Sequence, residues 1–142
     1  MDVTILKCDE PNGLNRMYPL KEIKKLVKEF NKKKKDDSVR NVYYYRVRSE
    51  DDTGCYLGKI KKLKIKDKIL YGEFEFSDNS SAQDCKKMYE ECISKGVDKS
   101  YFDYRIMMDM MGTVIPGGLE TTTYKDLEVH QFNFGLDSCW RW

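Results

Sequence analysis

The sequence predicts an α+β domain: a mostly antiparallel sheet, or partly closed β-barrel, of about six strands with two amphipathic helices. Three observations lead there. Apolar residues recur at helical spacing in only two segments, and they alternate with polar residues in several others. A chain of 142 residues is also long enough for one core, so residues 1–142 are expected to form a single domain, ending in a Trp-containing tail at 137–142.

Val3 to Leu6 is short and β-branched and reads as a strand. Pro11, Asn12 and Gly13 then supply turn chemistry, and Pro19 suits a first helical turn, where its missing N–H costs nothing. Leu20, Ile23, Leu26, Val27 and Phe30 follow at helical spacing, ending in Lys32 to Lys35 at the negative end of the helix dipole. Val42 to Val47 is aromatic and β-branched, and the polar stretch Ser49 to Gly54 breaks it. Ile60, Leu63 and Ile65 pair across a turn at Asp67 with Leu70, Gly72, Phe74 and Phe76, and the slip between Ile60 and Leu63 implies a bulge. Ser80 or Ser81 is positioned to cap a second helix with the stripe Ala82, Cys85, Met88, Tyr89, Cys92 and Ile93, and Gly96 to end it. Phe102, Tyr104, Ile106, Met108 and Met110 alternate next, and a turn at Pro116 to Gly118 precedes a last strand from Tyr124 to Leu136.

Twenty-six Lys and Arg against twenty-four Asp and Glu leave +2, too balanced for net charge to mark a nucleic-acid or anionic-membrane protein. No basic, apolar leader opens the chain and no run approaches a membrane span, so a soluble, non-exported protein is expected. Five cysteines without a CxxC pair, and one histidine, His130, argue for reduced thiols and against a zinc site or other cofactor.

The segment Asn12-Gly13-Leu14-Asn15-Arg16-Met17-Tyr18-Pro19 resembles the Asn-x-Asn-Gly-Arg-x-Tyr-Pro entry of the phage prohead core proteases, which also stands between a strand and a helix. Arg16, Tyr18 and Pro19 match in register, Asn12 approximates the polar turn, and Asn15 stands where that family usually has Gly. A second stretch, Gly58-Lys59-Ile60 through Leu63, Ile65, Asp67, Leu70, Tyr71 and Glu73, resembles the family's next segment. In order and spacing the resemblance covers about residues 3 to 134. It implies the herpesvirus-assemblin-like fold of capsid maturation proteases.

In that family a Ser on the strand after the second helix is activated by a His from an earlier strand or loop, because an unassisted hydroxyl is a poor nucleophile. The resemblance puts the His position at Arg46 to Asp52, around Arg48 and Ser49, where no His occurs, and the Ser position at Asp103 or Tyr104. The implied protein is a pseudoenzyme: a non-catalytic virion or head-assembly component, made in the host cytoplasm and resident in the phage head. Its partners would be capsid or scaffold proteins, with a second copy of the chain as a further option. The alternative is an active maturation serine protease using Ser100 with His130 as base, since triads are defined by geometry and not by chain order.

His130 otherwise reads as a structural imidazole sharing a strand face with Glu128, Phe132 and Phe134. Lys59, Lys61, Lys62, Lys64, Lys66 and Lys68 read either as a solvated or edge strand, which lysines protect from unwanted pairing, or as a face for acidic capsid surface or DNA phosphates. No aromatics interleave this run, which disfavours sequence-specific nucleic-acid binding. Trp140 and Trp142 suit either docking to a partner or packing on the core.

Overall fold

The structure, a computed structural model, describes residues 1–44, 56–94, 103–117 and 120–137. Strand β1 (Asp2–Lys7) leads into the PNGLNRMYP segment. There the Asn12 side chain accepts from the Leu14 and Arg16 N–H groups at 2.9 and 3.1 Å, an Asx turn that reverses the chain. Asn15 has φ +56°, the left-handed conformation that asparagine tolerates better than most residues, and this accounts for its standing at a glycine position. Arg16–Met17 then forms a short strand, β2, which the sequence did not signal.

Helix α1 (Leu20–Lys32) starts with Pro19 at its N-cap, and Pro19 offers no side-chain acceptor. The Asp9 carboxylate, eleven residues back, takes the Leu20 N–H at 2.8 Å instead. Ile23, Leu26 and Phe30 are buried, as their spacing predicts. A 3₁₀ turn over Ser38–Arg40 delivers the chain to β3 (Asn41–Tyr44).

The hairpin of β4 (Tyr56–Lys66) and β5 (Ile69–Phe76) turns at Asp67 and Lys68, whose φ values of 52° and 63° are those of a type I′ turn. The bulge lies between Ile60 and Lys62, inside the predicted slip. Gly58 has φ +151°, and a Cβ there would overlap the Glu75 carbonyl oxygen. Helix α2 (Ser80–Ser94) is capped by Asn79, which accepts from the Ala82 N–H at 2.7 Å; the expected cap at Ser80 or Ser81 lies one or two positions too late. Ala82 and Cys85 are buried on its apolar stripe, whereas Gly96 is outside the described residues.

Strands β6 (Asp103–Val114) and β7 (Thr122–Asp137) form a long antiparallel ribbon. The sheet order is β1-β5-β4-β3-β7-β2, with β6 also on β7. The pairs β1/β5, β5/β4, β4/β3 and β6/β7 are antiparallel, while β3/β7 and β2/β7 are parallel. The sheet curls into a half-barrel that brings β1 near β6, the α+β architecture the sequence predicts. Neither helix is long and apolar enough to cross a membrane. Buried Ile23, Leu26, Phe30, Val42, Ile60, Leu63, Phe74, Phe132 and Phe134 join α1, β3, β4, β5 and β7 in one core.

One polar group holds this core together. Because β3 pairs with β4 only as far as Lys59, the rest of that β4 edge has no strand beside it among the described residues. Asn31 covers Leu63 there, accepting its N–H and donating to its carbonyl, both at 2.9 Å. Arg40, 3% exposed, donates from Nη1 to the Ile60 and Lys61 carbonyls at the bulge. Its Nη2 reaches the Phe30 and Lys33 carbonyls at 3.1 and 2.8 Å, and Nε reaches Lys34 at 2.9 Å. All five guanidinium donors are therefore used, and the group also lies 4.6 Å over the Phe30 ring.

Arg40→Met should leave several buried carbonyls unsatisfied and cost about 3 kcal/mol or more. Asn31→Ala should cost about 1–3 kcal/mol, and Lys66→Ala, on the exposed face, no more than about 0.5 kcal/mol. Urea unfolding at neutral pH orders the three, and an Arg40→Met protein as stable as its parent would refute the bridging role. Gly58→Ala, forced against backbone, should lower stability by about 2 kcal/mol in the same assay.

Candidate functional site

Strand β7 is the spine of the region where the resemblance places catalysis. On one side Tyr44, the last described residue of β3, lies opposite Phe134; on the other, Ile106 of β6 lies opposite the same residue. The chain thus leaves β3 and enters β6 at one end of β7. At that end Asp103 and Tyr104 pair by backbone register with Asp137 and Leu136. Arg48, Ser49 and Ser100 are outside the described residues, as are Trp140 and Trp142.

His130 is elsewhere. Val129 pairs with Met110 and Gln131 with Asp109, so His130 is the extra residue of a bulge. The expectation that it shares a face with Phe132 and Phe134 needs correction: the bulge resets the alternation, leaving Val129, Phe132 and Phe134 buried and His130 exposed. From Asp109 to Asp103 the strand runs six steps, about 20 Å at roughly 3.3 Å each. His130 and the first residues of β6 are not brought together. The exposed face beside it carries a different arrangement, in which Asp109 accepts from Gln131 at 2.8 Å and Asn133 at 3.2 Å.

The lysines of β4 are brought together. Of the solvated-or-edge reading each half holds in part: β4 lies between β5 and β3, but β3 pairs with it only over Tyr56 to Lys59, so along Lys61 to Lys66 no described strand flanks it on that side. Its outer face is solvated, and the bulge presents Lys61 and Lys62 consecutively to solvent. Lys61 pairs with Glu75, Lys64 with Asp2 at 2.6 Å, and Lys68 with Asp9 at 3.7 Å. The first two contacts are hydrogen bonds that raise the lysine pKa values and lower those of Glu75 and Asp2. Lys59 and Lys62 instead border an open cleft of about 480 Å³ with Lys35, Arg40, Lys61, Glu73 and Glu75. Sequence reasoning missed Lys35 and Arg40 here. The only signal for Lys35 was its place in the lysine run ending α1, and nothing local marked Arg40.

The entry-motif residues have structural work. Asn12 and Asn15 shape the turn, and the Asn15 carbonyl accepts from Thr122 at 2.8 Å, beside the β2/β7 pairing of Arg16 with Thr122. Tyr18 stacks on Tyr124 with ring centroids 5.7 Å apart, and burial pushes its hydroxyl pKa up. Cys8 and Cys85 are buried free thiols. Burial first, and the neighbouring Asp9 carboxylate second, push the Cys8 thiol up to about 11. A buried thiol of that kind is the opposite of an activated nucleophile.

Among solved structures, the fold is similar to the bacteriophage T4 capsid assembly protease, gp21, with a TM-score of 0.65. Sequence identity is 14%, and the match covers 95% of this chain and 81% of that chain. No family model matches the sequence, and no curated protein matches it significantly. The phage assembly-protease fold is thereby established for this chain.

Cys8 and Tyr18 keep their protons in the folded state at pH values where the unfolded chain has lost them. Stability from this source is complete below about pH 9 and is lost as pH rises through about 11. Urea midpoints should therefore fall across that window, and Cys8→Ala should make the fall shallower. An unchanged slope would show that the Cys8 thiol does not titrate with unfolding.

Proposed function

We propose that this protein is a phage head-assembly component that uses the assembly-protease fold to contact capsid or scaffold proteins and does not cleave them. The observation that carries the reading is the mismatch between fold and chemistry. The architecture follows that of a capsid assembly protease over 95% of the chain. Yet the only histidine, His130, is exposed on a mid-strand bulge about 20 Å along the ribbon from Asp103. Removal of a proton from a serine needs a base within hydrogen-bond reach, and a strand position that distant supplies none to Asp103 or Tyr104. In this reading Arg48, Ser49, Asp103 and Tyr104 occupy former catalytic positions. The β4 lysines and the Trp140/Trp142 tail contact partners in the phage head, after assembly in the host cytoplasm.

Two measurements test this. Quantitative mass spectrometry of purified proheads and virions should find the protein in fixed stoichiometry to the capsid protein, and its absence from both particles would sink the proposal. Co-expression with the scaffold and capsid proteins of the same phage should leave both at full length. Cleavage that disappears in Ser100→Ala and His130→Ala would establish the maturation protease instead.

A further inference from the structure

The cleft between the end of α1 and the β4/β5 hairpin has a charge pattern that its structural duties do not use up. Five cations line it, Lys35, Arg40, Lys59, Lys61 and Lys62, against the two carboxylates of Glu73 and Glu75. Lys61 is occupied by Glu75. The Arg40 donors are all committed to carbonyl oxygens, but carbonyls are dipoles and leave its unit charge uncompensated by any carboxylate. Two of those contacts take the Phe30 carbonyl of α1 and that of its C-cap residue Lys33, offsetting part of the negative end of the helix that would otherwise repel an anion here. Among the described residues, Lys35, Lys59 and Lys62 make no ion pair. Three ammonium groups thus line a concavity whose wall holds a fixed, buried positive charge.

We infer that this cleft binds an extended, carboxylate-rich segment of a partner protein. The inference rests on the head-assembly reading for the partner's identity and on the cleft alone for its chemistry. A peptide is favoured over a nucleic-acid backbone by Glu73 and Glu75. They sit within the cleft, where evenly spaced phosphates cannot avoid them, whereas a peptide can place its carboxylates against Lys35, Lys59 and Lys62 and polar or apolar residues against the two glutamates. Among the described residues no aromatic side chain lines the cleft to stack a base.

The test uses the full chain and a fluorescein-labelled Asp/Glu-rich peptide of about twelve residues, with single-stranded DNA of equal charge as the competing probe. The peptide should bind, weaken severalfold from about 0.05 to about 0.2 M salt, and lose at least about tenfold in affinity in Lys35→Gln/Lys59→Gln/Lys62→Gln. Removing the same charge from the exposed face of α1, in Lys21→Gln/Lys24→Gln/Lys28→Gln, should leave binding within about twofold. No peptide binding, or an equal loss in the two triple variants, would overturn the inference. So would DNA binding more tightly than peptide and depending on the cleft lysines. Circular dichroism of both variants excludes misfolding; five of the six lysines are exposed and Lys59 is half-buried. Because the probe is synthetic, failure here is distinct from absence of the protein from phage particles.

Discussion

The structure depends on one buried guanidinium. Arg40 ends a 3₁₀ turn whose own cap is the Asp37 carboxylate, accepting from the Val39 N–H at 3.0 Å. From there it gathers the carbonyls that end α1 and those that a bulge turns away from the β4/β5 ladder. The Phe30 carbonyl also accepts the Lys33 N–H at 3.0 Å, and any of these carbonyls left buried and unpaired would cost roughly 1–3 kcal/mol. The bulge, the helix terminus and the early end of β3 would each be a defect alone. Together they form one five-donor site. Phe30 extends the arrangement inward, with Arg40 over its ring and Phe132 of β7 meeting its edge at 5.7 Å. A cation at the periphery is thereby coupled to the aromatic centre of the core.

What the sequence made legible was whatever local periodicity determines. The spacing of Ile23, Leu26 and Phe30, the alternation through β5 and β6, and the Asp67 turn each follow from 3.6- or two-residue repeats and from turn chemistry. The illegible parts are those decided by partners distant in sequence. Arg40 reads as another charge in a lysine-rich stretch because its acceptors are backbone atoms, which leave no trace in side-chain pattern. Asp9 acts as the α1 cap from eleven residues away, and Asn79 pre-empts the two serines after it. At His130 the alternation itself misled, because one bulged residue inverts every assignment beyond it. The place of β4 was half legible: its lysine-rich stretch beyond Lys59 has no described strand on the β3 side, as lysines at edges suggest, while the pairing of Tyr56 to Lys59 with β3 left no mark in composition.

Fold and site separate cleanly in this molecule. The entry motif and the glycine-containing hairpin, the two stretches that resemble prohead proteases, are accounted for by backbone demands. Asn15 sits at a left-handed corner, Gly58 lies where Glu75 allows no Cβ, and Gly72 packs between Ile5 and Ile60. Such positions preserve an architecture whatever chemistry it carries, so a likeness confined to them speaks for the scaffold. Function has to be argued from side chains that such backbone demands do not fix, those on the solvated outer face of β4 among them.

The parallel contact of β3 with β7 joins Val42 to Phe132, residues 90 positions apart in the chain. During synthesis, α1 and the β4/β5 hairpin leave the ribosome long before β7 exists to cover Phe30 and Val42. The early segments must wait with apolar surface exposed, and closure of so long a loop sets the pace of folding. Lysines distributed over the helix and hairpin would oppose association of segments so exposed by like-charge repulsion, a service performed before the native structure is complete.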